Sequence, residues 1–585
     1  MNIFFPKKNT LHKPFLFFLT VIFFCHVQGQ VFSSKKYPKG YFIYPVEAKI
    51  GLAANFGELR PNHYHMGLDC RTEQVVNKTV KAAAEGYIAH IKVEPFGFGQ
   101  AIYINHPNGL TTVYGHLNSF FPALEQYVKQ QQYTQHSWNV YLDIPPGLFP
   151  VKQGQFIAKS GNTGGSQGPH CHFEIRDTKT DKVLNPLLFG FNIPDDVPPT
   201  IIRLAMYDRC RSIYSQSPKL FSLKKVGGGY TTTTPVIPVN TDKISFGISA
   251  NDKLSGSSNP NGIYETILYL DDEPIVGFQL DSISYDETRY LNAHIDYKTK
   301  AAGGPYIEHV SRLPGYPEGG VYNDINGNGI IELKDDSVHL VRIVVKDTYG
   351  NTSTLSFKIR KGIIIETGRR DDSASYQRQQ EFHPGFVNIF ESEDLQVILS
   401  PEDLYDSVSF VQSKKSSILQ NSYSDIFSVA SGLIPVHNYF TLRIKANKEV
   451  PPHLQNKMLM KREWANKTEV VKAVRNGDWY TAKFRDFGNF ELIADNVPPV
   501  IGGGFADNAN LSKSTRIVFI PTDDNDEMNN FTAELDGNWL RFTNDKGRSF
   551  IYQFDEMCSR GSHELKISVQ DEAGNMSQKI LHFTR

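Results

Sequence analysis

Apolar and polar residues alternate in short runs along most of the chain, and glycine, proline, asparagine and aspartate separate the runs. The runs are rich in Val, Ile, Thr, Tyr and Phe, which fit the pleated, half-buried surface of a sheet. Successive side chains of a strand point to opposite faces, so such alternation is typical of strands rather than helices. The pattern predicts a mainly β protein of antiparallel strands joined by tight turns.

The clearest strands lie within residues 41–195, where we predict one antiparallel β-sheet domain. Residues 119–150 interrupt the series, and one stretch there, residues 122–132, has a helical pattern. The predicted strands are residues 87–93, 100–105, 110–117, 155–160 and 170–176.

An internal repeat organises the rest of the chain. Val197-Pro-Pro-Thr-Ile201 recurs as Val497-Pro-Pro-Val-Ile501, and the Asp-x-x-Gly-Asn turn that begins at Asp347 recurs at Asp571. Each pair encloses a β-rich stretch that resembles the immunoglobulin-like sandwiches of bacterial surface proteins. The first copy is longer and must carry an insertion. The predicted domains are an immunoglobulin-like sandwich at 197–361, a β domain of uncertain type at 362–495 and an immunoglobulin-like sandwich at 497–585.

The first residues have the layout of a secretory signal peptide. Three lysines precede an apolar run at residues 15–25, and Val27-Gln-Gly29 offers a cleavage site. An uncleaved anchor is the lesser alternative, because the run is shorter than the roughly 20 residues of a membrane span. The residues before Cys25 are too large for a lipoprotein signal. We expect a signal peptide at 1–29 and export to the periplasm or cell envelope, or secretion.

Length and charge set broad limits. At about 150 residues per domain, 585 residues correspond to three to five domains. The chain has 61 basic and 62 acidic residues, so no overall positive field favours nucleic acid, and we expect no such partner.

Two short strings supply candidate metal ligands, His65-Met-Gly-Leu-Asp69 and His170-Cys-His172. On a strand, residues two or four apart share a face, whereas on a helix the last two histidines would diverge by about 200°. Two imidazoles and one carboxylate, with a fourth position open for water, form a catalytic zinc set. Zinc lowers the pKa of a water to about 7 and polarises a carbonyl under attack, so we predict a metallohydrolase.

The proposed ligands are His65, Asp69 and His172. His116 and His170 would flank the open position, as general base or as donors to the developing oxyanion, and spacing does not decide between these roles. His63 competes with His65, because both share a face of a regular strand. The spacing to Asp69 favours His65, as does the glycine between them. No His-Glu-x-x-His motif is present.

The region from residue 41 to 190, about a quarter of the chain, resembles the lysostaphin-type zinc endopeptidases, which have the duplicated hybrid motif and cleave peptidoglycan peptides. The resemblance implies a small antiparallel sheet with a peptide-binding groove, zinc on His65, Asp69 and His172, and His116 and His170 as the catalytic pair. One departure is Cys171, where an apolar residue is expected. The matching stretches are Asn55-Phe-Gly-Glu-Leu-Arg60, His65-Met-Gly-Leu-Asp69, Tyr114-Gly-His-Leu117, Val151-Lys-Gln-Gly-Gln155, Ser160-Gly-Asn-Thr-Gly164 and Gly168-Pro-His-Cys-His-Phe-Glu-Ile-Arg176.

These motifs predict an exported zinc-dependent endopeptidase that hydrolyses stem or cross-link peptides of peptidoglycan. The sandwich modules would position it or bind cell-envelope proteins. Two alternatives are a non-catalytic regulator of other wall hydrolases that binds wall peptides, and a surface adhesin with an accessory peptidase domain. Fold alone does not separate them, and the complete set of five residues favours the enzyme.

Two further features remain open. Asp324, Asn326, Asn328 and Asp335 occupy positions 1, 3, 5 and 12 of a calcium-loop pattern, with Gly at position 6. A polar Asn/Gly hairpin explains this pattern equally well. The second feature is the pair Cys70 and Cys171, which should meet behind the metal if their strands are neighbours. Two buried thiols are favoured over a disulfide.

Overall fold

The computed structural model describes residues 1, 31–32, 35–362, 380–525 and 528–585. Nearly all of the predicted signal peptide therefore lies outside the described residues. Strands far outnumber helices, which confirms the prediction of a mainly β protein. The residues from Lys36 to Arg585 belong to one compact unit.

Antiparallel strands form the main sheet of the N-terminal domain, residues 41–195. The strand His170–Asp177 lies in its interior, between Leu68–Arg71 and Leu110–Gly115. The strands of this domain are Leu52–Ala54, Leu59–Arg60, His63–Tyr64, Leu68–Arg71, Thr79–Lys81, Gly86–Val93, Gln100–Asn105, Leu110–Gly115, Leu117–Phe120, Val140–Asp143, Pro150–Val151, Phe156–Ser160, His170–Asp177 and Val183–Leu184.

The run predicted as one strand over residues 110–117 is two strands, because the backbone turns at His116. This residue has a φ of +58°, and its N–H donates to the carbonyl of Phe98. The chain then enters a second, three-stranded sheet through Leu117–Phe120. A left-handed backbone at a non-glycine residue is uncommon and occurs often at functional positions.

The interruption at residues 119–150 contains the predicted helix, which spans Pro122–Thr134. Proline at its first turn is compatible with a helix, since the first N–H groups lack intrahelical partners. Leu124 and Val128 are buried, and they belong to the same hydrophobic cluster as the main sheet. A 3₁₀ turn at Pro186–Phe189 follows the last strand of the domain.

Two sheets pack face to face in the first sandwich, residues 197–361, where Phe246 and Phe357 meet across the core with ring centroids 5.1 Å apart. Its strand Ser282–Ile283 pairs with Val183–Leu184 of the N-terminal domain. The strands are Thr200–Asp208, Lys219–Phe221, Leu223–Val226, Gly229–Thr232, Val236–Val239, Ile244–Asn251, Glu265–Leu270, Glu273–Gln279, Ser282–Ile283, Glu308–His309, Tyr322–Asp324, Val338–Lys346 and Thr352–Lys361; the helical segments are Ile213–Ser215, Thr288–Tyr290, Leu291–His294 and Tyr297–Ala301.

The middle domain, described from residue 380 to 495, consists mainly of two five-stranded sheets. Phe484 and Phe490 join the two sheets with ring centroids 4.9 Å apart. The strands are Gln380–Phe382, Asn388–Glu391, Leu395–Leu399, Val408–Phe410, Gln412–Lys415, Ile426–Val429, Pro435–Lys445, Met458–Trp464, Lys467–Lys472, Val474–Asn476, Trp479–Asp486 and Gly488–Ala494, with a 3₁₀ turn at Pro452–Leu454.

The last sandwich, residues 497–585, packs a three-stranded sheet on a five-stranded one. Phe531 and Phe550 stack between the sheets with ring centroids 3.8 Å apart. The strands are Val500–Gly503, Ala509–Asn510, Arg516–Thr522, Met528–Leu535, Asn538–Trp539, Phe550–Gln553, Ser562–Asp571 and Met576–Thr584, with a 3₁₀ turn at Asp545–Gly547. The immunoglobulin-like classification of both sandwiches stays a prediction.

The structure does not support the calcium loop predicted at residues 324–335. The Asp324 carboxylate accepts two hydrogen bonds from the Arg312 guanidinium, at 2.9 and 2.6 Å. Asp335 accepts from the backbone N–H of Ser337 at 2.8 Å. Across the described residues, no group of three acidic or histidine side chains gathers at this loop. The polar side chains of this loop thus pair with neighbouring protein groups, and Asn326 donates to the carbonyl of Pro274 at 2.8 Å. No helix among the described residues is long and apolar enough to cross a membrane.

Cys70 and Cys171 lie directly opposite each other on neighbouring strands, and both are free, fully buried thiols. Cys558 is also buried, whereas Cys210 is exposed. We therefore expect a thiol reagent to label one cysteine per native chain, counted from Gln30, and four after denaturation. Cys210→Ser should abolish the native labelling. A count of two thiols in denaturant without reductant would instead show that Cys70 and Cys171 are bridged.

Candidate metal centre

The pairing of two strands brings two of the predicted ligands together. Asp69 lies directly opposite His172 in the antiparallel register of Leu68–Arg71 with His170–Asp177. Directly opposed residues of such a pair project to the same face with Cβ atoms about 5 Å apart. Side chains two residues apart also share a face, which places His170 beside His172.

His65 reaches the same point from a different backbone. It precedes the strand Leu68–Arg71, so the predicted continuous strand over residues 65–69 is wrong. The chain bends at Gly67 and passes close to the neighbouring strand. A Cβ atom at Gly67 would lie 2.5 Å from the carbonyl oxygen of Phe173 and 2.9 Å from the His172 ring. Only glycine fits this approach.

Three donor atoms converge at the centre. His65 Nε2 lies 2.9 Å from Asp69 Oδ1 and 3.1 Å from His172 Nδ1, and the last two atoms are 3.0 Å apart. All three residues are buried, each less than a tenth exposed. His63 lies elsewhere: its side chain is exposed and its Nδ1 contacts the carbonyl of Pro61.

Each ligand imidazole is fixed by a partner on its other nitrogen. His65 Nδ1 lies 2.7 Å from the carbonyl oxygen of Asn55, and His172 Nε2 lies 3.0 Å from Glu174 Oε1. These acceptors place the ring proton on the outer nitrogen, leaving His65 Nε2 and His172 Nδ1 free to bind a cation. The orientation of both rings is thus set before any ligand arrives.

Glu174 belongs to a buried charge network. Its Oε2 accepts from Arg176 Nε at 2.7 Å, and its Oε1 accepts from the Tyr285 hydroxyl at 2.5 Å. Burial would raise the pKa of Glu174, but the Arg176 charge and the hydrogen bond from His172 lower it to about 2. Tyr285 comes from the first sandwich, so a neighbouring domain completes the support of His172.

The two remaining histidines lie beside the three donors. The His116 and His170 rings are 4.8 Å apart, and His170 Nε2 lies 3.2 Å from Asp69 Oδ1. His116 Nδ1 contacts the carbonyl of Thr163, and His170 Nδ1 contacts that of Gly168, both at 2.8 Å. Both Nδ1 atoms are therefore engaged by carbonyls, which leaves Nε2 as the nitrogen available to the centre, and that of His170 already contacts Asp69 Oδ1.

The charges at the centre suit a divalent cation. Burial alone would raise the pKa of Asp69, but the His65 imidazole and the hydrogen bonds of its histidine neighbours hold it well below its usual value. Burial would lower the pKa of His172, but hydrogen bonds to Asp69 and Glu174 raise it to about 9. Burial and the neighbouring histidines lower the pKa of His116 to about 3. The His116 ring is therefore neutral at neutral pH, and a bound cation would replace the His172 proton.

These donors fit zinc. Two neutral imidazole nitrogens and one carboxylate oxygen, each with an outer hydrogen-bond partner, are the ligand types of a catalytic zinc site. The separations of 2.9 to 3.1 Å are those of atoms able to close on one ion. The structure thus brings together all five residues singled out from the sequence.

Several supporting residues were missed by sequence reasoning. Glu174 had a signal, because it lies two residues after His172 and shares its face of the strand. The carbonyls of Asn55 and Thr163 carry no side-chain signal at all. Tyr285 lies 111 residues from Glu174 in sequence, within a segment that has no metal-site pattern.

The last sandwich contacts the loops around His116 and His170. Asp545 Oδ1 accepts from the backbone N–H of Gly164 at 2.8 Å, and Lys546 Nζ donates to the carbonyls of Gly164 and Ser166. The helix Pro122–Thr134 contacts the same sandwich, for example through Lys129 and Asp555 at 2.7 Å. This insertion therefore supports the docking of a C-terminal module.

An antiparallel sheet with a buried two-histidine, one-carboxylate centre and two adjacent imidazoles defines a metallohydrolase-type site. Residues 63–134 match the family described as Peptidase family M23, and residues 379–495 match the Zu5-like domain. The first match confirms the predicted lysostaphin-type metallopeptidase domain. The second gives a class to the β domain that the sequence left uncertain.

Curated relatives match the same region. The DD-carboxypeptidase/endopeptidase Mpg of Neisseria meningitidis is 28% identical over 170 residues, which are 29% of this chain and 30% of that protein. The peptidoglycan DD-endopeptidase ShyA of Vibrio cholerae is 26% identical over 160 residues, 26% of this chain and 31% of that protein. The chain thus covers about a third of the length of these relatives.

Among solved structures, the catalytic domain of lysostaphin from Staphylococcus simulans is 23% identical, with 23% of this chain and 87% of that chain covered and a TM-score of 0.18. The catalytic domain of the prophage-encoded M23 protein EnpA from Enterococcus faecalis is 21% identical, with 26% and 99% covered and a TM-score of 0.20.

The outer partner of His172 provides a test of the centre. We expect Glu174→Gln to weaken zinc binding by about 10- to 100-fold, because the amide holds the imidazole less firmly and lowers its basicity. Competition with a chromophoric chelator measures the affinity. Glu47→Gln, which alters an exposed carboxylate of the same domain, is the matched control. Equal zinc affinity in the two variants would show that Glu174 does not support the metal.

Proposed function

We propose that this chain is an exported zinc-dependent endopeptidase that hydrolyses peptide bonds in the stem or cross-link peptides of peptidoglycan. The observation that carries the proposal is the convergence of His65 Nε2, Asp69 Oδ1 and His172 Nδ1 beside the rings of His116 and His170. The family match supports a metallopeptidase, and the name of the relative ShyA, a peptidoglycan DD-endopeptidase, supports the substrate class.

Zinc at this centre would supply a Lewis acid for the scissile carbonyl and a water of lowered pKa. The side chains of His116 and His170 would handle the protons of the reaction. His116 Nδ1 is held at the carbonyl of Thr163, so its Nε2 is the nitrogen that can accept a proton from the attacking water. His170 Nε2 lies on the same side of the centre and can carry a proton to the developing oxyanion or leaving amine. The carbonyls of Thr163 and Gly168 hold both rings in place.

The other parts of the proposal rest on sequence. The amino-terminal pattern supports export to the periplasm or cell envelope, where peptidoglycan lies. The sandwich modules and the Zu5-like domain would position the enzyme or bind envelope proteins. No observation here favours the regulator or the adhesin over the enzyme.

Single substitutions separate metal binding from turnover. In the chain from Gln30, we expect about one zinc per molecule and release of soluble fragments from purified peptidoglycan. His172→Ala should lose both the zinc and the activity. His116→Ala should keep the zinc and lose about 10²- to 10⁴-fold in turnover, the usual contribution of general acid–base catalysis. Metal analysis and chromatography of the released fragments measure the two properties.

His63→Ala is the control, because His63 is a nearby histidine whose exposed side chain takes no part in the centre. It should retain both zinc and activity. Zinc-loaded wild-type protein that cleaves none of several wall chemistries would overturn the enzyme and favour the regulator. Loss of zinc in His63→Ala would overturn the ligand assignment.

A further inference from the structure

The two sandwiches repeat a cluster of carboxylates that the peptidase centre does not use. Asp195, Asp252 and Asp347 form the first triad, and Asp495, Asp523 and Asp571 form the second triad. In each triad, carboxylate oxygens of all three residues lie within 4.8 Å of one another. Neither triad includes a residue of the predicted calcium loop.

Corresponding residues occupy the same places in the two copies. The first member lies two residues before the Val-Pro-Pro sequence, and the third begins the Asp-x-x-Gly-Asn turn. The second member directly follows the strand that pairs with the first strand of its sandwich, as Asp252 follows Ile244–Asn251. Three carboxylates at corresponding positions therefore meet near the start of each sandwich.

Hydrogen bonds hold the first triad from outside. Asn351 Nδ2 donates to Asp347 Oδ2 at 2.7 Å and to the carbonyl of Asp195 at 3.3 Å. Asp195 Oδ1 accepts from the N–H of Val197 at 3.1 Å. In the second copy Asn575 donates in the same way to Asp571 and Asp495. These bonds fix the carboxylates without supplying a positive charge.

Two carboxylate oxygens of the first triad have no hydrogen-bond donor. Asp252 is 4% exposed, and its Oδ1 accepts no hydrogen bond; Asp195 Oδ2 is also buried without a partner. Buried acceptors without donors are unfavourable, and native structures rarely keep them unless a water or ion satisfies them. The unpartnered oxygens therefore call for a donor or a cation that the described part of the chain does not supply.

A neutral oxygen joins the carboxylates. Asn261 is 4% exposed, and its amide Oδ1 is buried without a partner. Its backbone pairs with Asp252 in an antiparallel bridge, with N–O distances of 3.0 and 2.8 Å. Opposed residues of such a bridge project to one face, so the Asn261 side chain lies on the same side as that of Asp252. In the second triad, Asn525 donates to Asp495 instead.

The charge of the first triad is uncompensated within the described chain, where no lysine or arginine forms an ion pair with its members. Burial, and then the charges of Asp195 and Asp347, raise the pKa of Asp252 to about 7. A protein cation would have lowered it.

We propose that the first triad and the amide oxygen of Asn261 form a calcium site. The donors are all hard oxygens, and calcium takes six to eight of them from carboxylates, amides, backbone carbonyls and water in flexible geometry. No histidine or cysteine takes part, which separates this site from the zinc centre.

The site has a structural link to the peptidase centre. Asn261 belongs to a short segment that contacts the N-terminal domain. Gly262 N–H donates to Asn55 Oδ1, and Asn55 Nδ2 donates to the Gly262 carbonyl, both at 2.9 Å. The carbonyl of the same Asn55 orients His65. Calcium would thus order the segment that contains Asn261 and Gly262. This segment hydrogen-bonds to Asn55, whose carbonyl orients His65.

Calorimetry and thermal unfolding of the zinc-loaded chain from Gln30 test the proposal, with CaCl₂ added to calcium-free buffer up to about 1 mM, the range of extracellular calcium modules. We expect calcium to bind and raise the unfolding temperature. Asp252→Asn should bind one calcium fewer per chain than the wild type and show a smaller calcium-dependent shift. Without calcium it should unfold at the same or a higher temperature, because the amide relieves repulsion. A purely structural role for Asp252 predicts a lower temperature instead.

Asp335→Asn, which changes an exposed carboxylate of the loop predicted from sequence, is the control and should bind as the wild type does. Asn261→Leu gives a second test, since it removes the amide oxygen at similar volume and should weaken calcium binding. Calcium binding in Asp252→Asn equal to that of the wild type would overturn the site. An equal shift with MgCl₂ would overturn the assignment to calcium.

Discussion

The register between Leu68–Arg71 and His170–Asp177 is the constraint on which the centre depends. It sets Asp69 opposite His172, and the period of two then sets His170 on the same face. A slip of one residue would turn every ligand of one strand to the opposite face. The fully buried Cys70 and Cys171 occupy that opposite face, in the hydrophobic core. Core packing and ligand placement are therefore fixed by the same pairing.

Around this pairing, backbone carbonyls do much of the orienting. Asn55, Thr163 and Gly168 each present a carbonyl oxygen to the outer nitrogen of one imidazole. A carbonyl can only accept a hydrogen bond, so it settles which ring nitrogen carries the proton. Glu174 does the same for His172 and adds a negative charge. The other ring nitrogens of His65, His170 and His172 consequently all contact Asp69 Oδ1.

The sequence predicted which residues form the centre better than it predicted their backbone conformation. The strand carrying His170 and His172, and the helix after Pro122, follow local patterns of two and 3.6 residues, and such patterns can be read directly. The bends at Gly67 and His116 follow from contacts with Phe173 and Phe98, which are distant in sequence. A local pattern does not contain such contacts.

The same limit applies between domains. The repeat marked both sandwiches, yet the meeting of three carboxylates in each depends on strand ends far apart in the chain. The calcium-loop pattern at Asp324 was a local signal, and Arg312 satisfies that carboxylate. The sequence pattern of the loop contains no information about Arg312, whose guanidinium folding places beside Asp324.

Two contacts from the first sandwich determine how large an intact catalytic unit must be. They join Tyr285 to Glu174 and Gly262 to Asn55. A fragment that ends near residue 195 would keep all five histidine and aspartate side chains but would lose the hydroxyl and the backbone groups that steady two ligand supports. The pairing of Val183–Leu184 with Ser282–Ile283 would also be cut, exposing a sheet edge. The peptidase domain and the first sandwich thus form one structural unit rather than two independent modules.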